Sequence, residues 1–267
     1  MSPLRVSIVV PAYDEQDNLR PLRDAINAAL DGKLDYEVIF VDDGSKDATR
    51  EVARAIAAED ARFRLVALAR NSGETAAGWA GMKEAKGDLV CVMDADLQND
   101  PRDLPRMIDK IGEFDVVCGW RKRRKDGDGI VRRVSSRIAN AVRNALSSES
   151  IHDSGCTYRV FRRECVEGLQ LFKGMHRFLP TLFKAQGWKV TEVEVANHPR
   201  HAGRSKYGVW NRVFRAFYDL LAVRWMLSRW IRLEVGERTG RGFTSAAASD
   251  PPREPSRPTS AATAPGP

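Results

Sequence analysis

Two carboxylates one residue apart, Asp94 and Asp96, follow the apolar run Leu89 to Met93, and Gln98 stands two positions further on. Placed just beyond a strand, both acids can turn toward one ligand, and their repulsion is costly unless a cation lies near them. Hard oxygen donors of this kind suit Mg²⁺ or Mn²⁺, which keep several waters and bind substrate phosphates rather than sit in a closed protein cage. Gln98 can add a neutral oxygen. Taken alone, an Asp-x-Asp pair is most often a solvated acidic turn. Here it has company. Asp42-Asp43-Gly44-Ser45 follows the run Glu37 to Val41, and Pro11-Ala12-Tyr13-Asp14-Glu15 follows Val6 to Val10. Asp43 can accept a hydrogen bond from a base N–H or a ribose hydroxyl; the competing reading is a turn leading into a helix capped by Ser45 or Asp47.

Several other chemistries find no support. No G-x-G-x-x-G follows the first strand and no G-x-x-x-x-G-K-[ST] occurs, which excludes the usual dinucleotide fingerprint and the P-loop. The four cysteines, Cys91, Cys118, Cys156 and Cys165, show neither CxxC nor zinc-ligand spacing and read as reduced thiols of a cytosolic protein. The 267 residues carry 43 Lys+Arg against 36 Asp+Glu, a formal net charge of +7, which points to an anionic partner without naming it. With 43% hydrophobic residues the chain can bury a substantial core. The first residues run straight into a strand pattern with no signal peptide, and no apolar run approaches the roughly 20 residues that span a bilayer.

The acidic groups can meet only if a scaffold brings strand ends together. Short apolar strands at Val6–Val10, Glu37–Val41, Arg64–Ala67, Leu89–Met93 and Val116–Cys118 alternate with helical patterns at Asn18–Leu30, Ala48–Ala58, Thr75–Ala85 (closed by Gly87) and Pro101–Ile111. That alternation predicts an α/β fold with a mostly parallel central sheet and helices on both faces. Ligands bind such sheets at the carboxyl ends of the strands. Glu15, Asp43, Asp94 and Asp96 are therefore expected in one cleft.

The second half is less regular. Arg121 to Gly129 is a charged loop, Val131 to Leu146 a helix, and Thr157–Phe161 and Val190–Val195 are strands around a helical stretch at Phe178–Ala185. A long helix begins near Val209 and runs to about Leu233, with Trp210, Phe214, Trp225 and Trp230 interspersed with Arg212, Arg215, Arg224 and Arg229. Its first half suits packing on the core, and its second half suits a membrane interface, where rings and arginines meet headgroups; a membrane-protein partner would bury the same face. From Gly236 the chain is rich in Pro, Ser, Thr and Ala and cannot order itself by apolar burial. The expected organisation is one catalytic domain over 1–235, with 209–233 as an amphipathic helix, and a disordered tail over 236–267.

These strand-end groups, with Gly119-Trp120-Arg121, Arg132-Arg133 with Ser135-Ser136, Asp153-Ser154-Gly155-Cys156, His176-Arg177-Phe178-Leu179-Pro180 and Gly203-Arg204-Ser205-Lys206-Tyr207, resemble family 2 glycosyltransferases of the GT-A fold. The resemblance is to the polyprenyl- and dolichyl-phosphate glycosyltransferases, including dolichyl-phosphate mannosyltransferase-like members, and covers roughly residues 4 to 230. It implies a GDP- or UDP-linked sugar donor, with Pro11, Ala12, Tyr13, Glu15, Val41, Asp43 and Ala95 lining the nucleotide-sugar site. It implies Mg²⁺ or Mn²⁺ held by Asp94, Asp96 and Gln98. Asp94, Asp96 and Arg121 are the expected catalytic set.

The implied acceptor is a polyprenyl phosphate, whose oxygen is already anionic and requires no catalytic base. It requires cations, for which Arg121, Arg132, Arg133, Arg200 and Lys206 are candidates, with Ser136 as a hydroxyl donor. The reaction would be an in-line displacement inverting the anomeric carbon, carried out by a peripheral protein at the cytoplasmic membrane face. At Asn71-Ser72-Gly73-Glu74 the family often has Lys or another neutral or basic residue where Glu74 stands, which puts a donor contact from this loop in question. Two rival readings remain at this stage: transfer to a saccharide or protein hydroxyl, and a non-catalytic binding subunit on the same fold. Nucleic acid is not an expected partner, since no aromatic platform or reading helix accompanies the basic run Arg121 to Lys125.

Overall fold

The computed structural model describes residues 4–121, 152, 153, 155–199 and 210–231. The expected helix at Val131–Leu146, the acceptor candidates Arg132, Arg133, Ser136, Arg200 and Lys206, and the tail from Gly236 lie outside the described residues.

Seven strands form one sheet in the order β3-β2-β1-β4-β6-β5-β7. They are β1 (Arg5–Ala12), β2 (Asp35–Asp42), β3 (Phe63–Ala67), β4 (Leu89–Val92), β5 (Val116–Trp120), β6 (Arg159–Arg162) and β7 (Val190–Glu194). β1 pairs in parallel with β2 and β4, β2 with β3, and β5 with β7, whereas β6 runs antiparallel to both β4 and β5. The α/β fold with a mostly parallel sheet is thus present, with one reversed strand inside it. That reversal has a consequence for chemistry. It brings the start of β6 to the same sheet edge as the ends of β1, β2, β4 and β5.

The helices are α1 (Gln16–Leu30), α2 (Thr49–Glu59), α3 (Glu74–Glu84), α4 (Leu104–Ile108), α5 (Leu179–Gln186) and α6 (Trp210–Ser228). Two buried clusters separate by sheet face. One packs Leu19, Leu22 and Ile26 of α1 against Ile8 and Phe40. The other packs Ala77 and Met82 of α3, and Leu182 and Phe183 of α5, against Val9, Val41 and Phe161. The strands are apolar on both sides because both sides are covered. α3 lies so close to the sheet that a side chain at Gly81 would collide with Val9 and Val41.

Some boundaries differ from the sequence reading. α2 is preceded by Ala48 at its cap, not by Ser45 or Asp47; Ser45 instead accepts from the Asp14 N–H (3.0 Å), and Asp47 accepts from the Thr49 N–H (3.0 Å). Gly87 does not close α3, which ends at Glu84; it lies where a side chain would strike the Arg5 carbonyl, 2.7 Å away. The helix expected over Pro101–Ile111 is a 3-10 turn at Pro101–Asp103 followed by the short α4, since Pro105 interrupts the backbone hydrogen bonding.

α6 is fixed to the body by Arg177, which pairs with Asp219 at 2.9 Å, and by the buried Leu220 and Val223. Its other side leaves Tyr218 70% and Trp225 67% exposed, with Leu221 between them. Among the described residues no helix is long and apolar enough to cross a membrane.

Candidate functional site

The end of β1 is laced to the end of β2 through backbone donors that strand geometry leaves unpaired. The Glu15 N–H donates to Thr49 Oγ1 (2.7 Å), the Lys46 N–H to Asp14 (2.8 Å), and the Ala48 N–H to Gln16 (2.8 Å). Asp14 has a φ of 51°, a left-handed conformation that L side chains adopt only when their surroundings hold it. The buried Asn18 donates to the Glu15 carboxylate at 2.5 Å and fixes its direction. Burial alone would raise the pKa of Asp42, but hydrogen bonds from Ser45 and the Arg50 guanidinium bring it below the ordinary carboxylate value.

Asp43, 3% exposed, has its carboxylate filled from the next loop. The N–H groups of Ser72 (2.7 Å) and Gly73 (2.8 Å) and the Asn71 side chain (3.1 Å) all donate to it. Gly44 makes this possible. Its φ is +67°, and a side chain there would sit 2.5 Å from the Asn71 nitrogen. Asp43 therefore positions the loop that opens α3, and with it Glu74 and Thr75.

β4 delivers Asp94 and Asp96. The Asp94 N–H donates to Asn99 (2.9 Å), and the Asp96 carboxylate accepts from the Gln98 N–H (3.1 Å). Between Asp96 and Gln98, Leu97 is held at a φ of 60°, a left-handed turn just after the two acids. Thr157, just before β6, donates to Asp94 at 2.6 Å. Burial, the neighbouring Asp96 and then Glu74 raise the Asp94 pKa to about 6, against the lowering effect of Thr157 and Arg121. The Gln98 amide nitrogen lies 3.5 Å from the His198 carbonyl.

Arg121, at the end of β5, forms a nearly buried two-pronged pair with Asp153, at 2.7 and 3.1 Å. Burial opposes its charge, but Asp153 more than restores it and the pKa is raised. Beside it the ring of Trp120 stacks on His152, centroids 4.5 Å apart.

Below Asp94 is a cavity lined by Pro11, Glu74, Thr75, Asp94, Thr157 and His176, among others. Of the residues expected to hold a nucleotide sugar, Pro11 lines this cavity, beside Asp94 of the expected metal set. Val41 is fully buried in the core and Ala95 is 4% exposed, so neither side chain faces open solvent. Tyr13 and Glu15 stand at the neighbouring β1 end and remain partly exposed.

The donor set can be tested against a divalent cation. Two crowded carboxylates, one of them with its pKa raised, leave an excess of negative charge that a cation would relieve. Among the described residues no three His, Cys, Asp or Glu side chains enclose a metal position. An ion held by one or two carboxylates, with substrate phosphates completing its shell, asks for such a pair. Asp94 and Asp96 fit it.

Several site residues carried no assigned role in the sequence. Thr157 and Asp153 reach their partners across 63 and 32 residues of chain, a proximity that only the reversed β6 creates. His176 was visible only as part of a motif.

Residues 7–169 match the model of Glycosyl transferase family 2. The chain is 39% identical over 230 residues to dodecaprenyl-phosphate galacturonate synthase of Rhizobium johnstonii, covering 84% of this chain and 68% of that protein. It is 36% identical over 219 residues to undecaprenyl-phosphate 4-deoxy-4-formamido-L-arabinose transferase of Aeromonas hydrophila, covering 81% of this chain and 66% of that protein. The chain thus spans about two thirds of the length of these relatives. Among solved structures it resembles glucosyl-3-phosphoglycerate synthase from Mycobacterium tuberculosis, in complex with Mg²⁺ and uridine diphosphate, at a TM-score of 0.63 and 19% identity over 87% of this chain and 82% of that one. That likeness is one of fold, of the GT-A type.

Proposed function

The chain belongs to glycosyl transferase family 2, and from that premise we propose that it transfers a sugar from a nucleotide-sugar donor to a polyprenyl phosphate, inverting the anomeric carbon, at a membrane surface. The observation that carries the reading is the meeting of Asp94, Asp96 and Thr157 with the cationic Arg121 at one sheet edge. An acidic pair for a metal–diphosphate and an arginine for an anionic acceptor are the parts this transfer needs.

Asp94 and Asp96 would hold Mg²⁺ or Mn²⁺, which when bound would neutralise charge on the departing diphosphate. Thr157 keeps Asp94 turned into the cavity, and Asn99 fixes its backbone. Pro11, Tyr13, Glu15 and the Asp43 loop form the wall expected to take the nucleoside. Arg121 brings positive charge to the acceptor side, with its orientation set by Asp153. No proton must be removed from a phosphate oxygen, so no general base is assigned.

Membrane contact rests on α6. Tyr218, Leu221 and Trp225 form an exposed stripe at helical spacing, beside Arg224 and Arg229, opposite the buried Leu220 and Val223. This composition suits an interfacial helix. The two relatives are named for an acidic sugar and an uncharged one.

The test is transfer from radiolabelled UDP- and GDP-sugars to a short polyprenyl phosphate with Mg²⁺ or Mn²⁺, followed by extraction into organic solvent. Label in the organic phase is expected. Transfer to a sugar or protein hydroxyl and none to lipid phosphate would overturn the acceptor assignment.

A further inference from the structure

We propose that Glu192, on the edge strand β7, is a positioning residue for Arg121: it builds the turn at His152 and Asp153 whose carboxylate aims the guanidinium at the acceptor phosphate. This rests on the reading of Arg121 as the acceptor's cation.

A carboxylate on an edge strand is ordinarily left to solvent. β7 is the last strand of the sheet, yet the Glu192 side chain is 10% exposed. It is covered by a turn from far earlier in the chain. The His152 N–H donates to both Glu192 oxygens (3.1 and 3.0 Å), the Asp153 N–H donates to one of them (3.3 Å), and His152 Nδ1 lies 2.8 Å from the other. Two successive backbone N–H groups closing on one acid fix the peptide plane between them. On its far side the turn is held by the Cys156 N–H, which donates to the Asp153 carbonyl at 3.1 Å.

That backbone sets the direction of the Asp153 side chain. Asp153 accepts from Arg121 Nε and Nη2, a side-on pairing that fixes the plane of the guanidinium. Of the five N–H groups of an arginine this engages the Nε side and leaves the Nη1 end to a ligand. The charges of Arg121 and Asp94 act on one another, which places that end by the metal-binding edge of the sheet.

Charge does not account for Glu192. A carboxylate behind Asp153 adds negative potential where an anionic acceptor must come, and so opposes it. Its contribution is geometric. β7 pairs with β5 as far as Trp120 and Glu194, and the Val195 N–H donates to the Trp120 carbonyl at 3.0 Å, so the strand bearing Arg121 and the strand bearing Glu192 are one rigid unit. Arg121 is thereby fixed at its backbone by β5 and at its guanidinium through Asp153 and Glu192. A cation oriented in advance loses less freedom when phosphate arrives.

The experiment measures binding. Calorimetry with UDP and with GDP in Mn²⁺ identifies the nucleoside diphosphate, and the full chain in its presence is titrated with farnesyl phosphate. Glu192→Ala is expected to weaken farnesyl phosphate binding roughly tenfold, and Glu192→Gln, which keeps one oxygen for the backbone donors, roughly threefold. Affinity for the nucleoside diphosphate should stay within about twofold in both, which separates a lost orientation from a damaged fold. In an Arg121→Gln background neither substitution should weaken farnesyl phosphate binding further by more than about twofold, because the effect runs through that guanidinium. A merely structural role would not vanish with Arg121. Unchanged farnesyl phosphate affinity in both Glu192 variants, an equal loss of nucleoside diphosphate affinity, or the full effect persisting without Arg121 would each overturn the inference. If the wild type binds no farnesyl phosphate, or Arg121→Gln binds it as well as the wild type, the acceptor reading fails and this inference with it. If neither UDP nor GDP binds, the donor reading fails alone, and the cycle with Arg121→Gln still decides the role of Glu192.

Discussion

Asp94 is held in an environment that disfavours its own charge, and removing that charge should make the metal-free protein more stable while ending its activity. The folded-state pKa of about 6 lies above the ordinary 3.8, a gap of about two pH units that corresponds to about 3 kcal/mol. Because the raised value belongs to the folded state, the folded chain holds this proton more tightly than the unfolded one. The favourable contribution is complete below about pH 4, declines as pH rises toward 6, and is lost above it. Asp94→Asn keeps an oxygen for the Thr157 hydroxyl and removes the charge. Allowing for residual solvent access at the site, we expect about 2 kcal/mol of added stability at pH 8 in chelator, or roughly 4 to 8 °C in Tm for a domain of this size. Denaturant titrations at pH 5 and pH 8 check it, and at pH 5 the gain should shrink. Mn²⁺ at a hundredfold excess over its Kd should add about 2.7 kcal/mol to the wild type and little to the variant. An Asp94→Asn protein no more stable than wild type at pH 8 without metal would refute the reasoning.

Other expectations follow from the same geometry. Asp96→Ala should abolish transfer and Mn²⁺-induced stabilisation while leaving the circular dichroism spectrum unchanged; activity that survives in chelator would argue against a metal. Asp153→Asn leaves the Arg121 guanidinium buried beside a neutral partner, and should destabilise by roughly 3 kcal/mol in denaturant titrations. Gly44→Ala forces a side chain into a left-handed backbone against the Asn71 nitrogen, and should cost roughly 2 kcal/mol or more by the same measurement, together with weakened nucleotide binding. Replacing Tyr218 and Trp225 by Ser should reduce sedimentation with anionic vesicles and leave Tm nearly unchanged, because both rings are mostly exposed; an unchanged vesicle fraction would remove α6 from the membrane contact.

The sheet and its acidic edge were legible in the sequence because continuous apolar strands, alternating with helices, force a doubly covered sheet, and such sheets gather their strand ends. Val6 to Val10 and Leu89 to Met93 read as buried strands, and the structure pairs them in the sheet interior. The direction of β6 was not legible. Arg159–Arg162 has the same pattern read either way, and the chain that leads into it decides. With that direction went the partners it supplies, since Thr157 meets Asp94 and Asp153 meets Arg121 only when β6 runs backward. Asp43 shows a different gap. Its type and position were plain, but its three donors come from residues 71 to 73, and sequence spacing gives no hint that a loop so distant would fill the carboxylate. The short α4 has a local cause, Pro105, which carries no backbone donor and sits in the first turn of the helix.

That filled carboxylate joins two segments that lie far apart in the chain. The same three hydrogen bonds that close Asp43 also set where α3 begins, so the end of β2 and the start of α3 share one hinge. A substitution that reshapes the Asp43 carboxylate would move the start of α3 in the same stroke. Substitutions at Asp43 and Glu74 should therefore fail to add, although α2 and β3 separate the two residues in the chain.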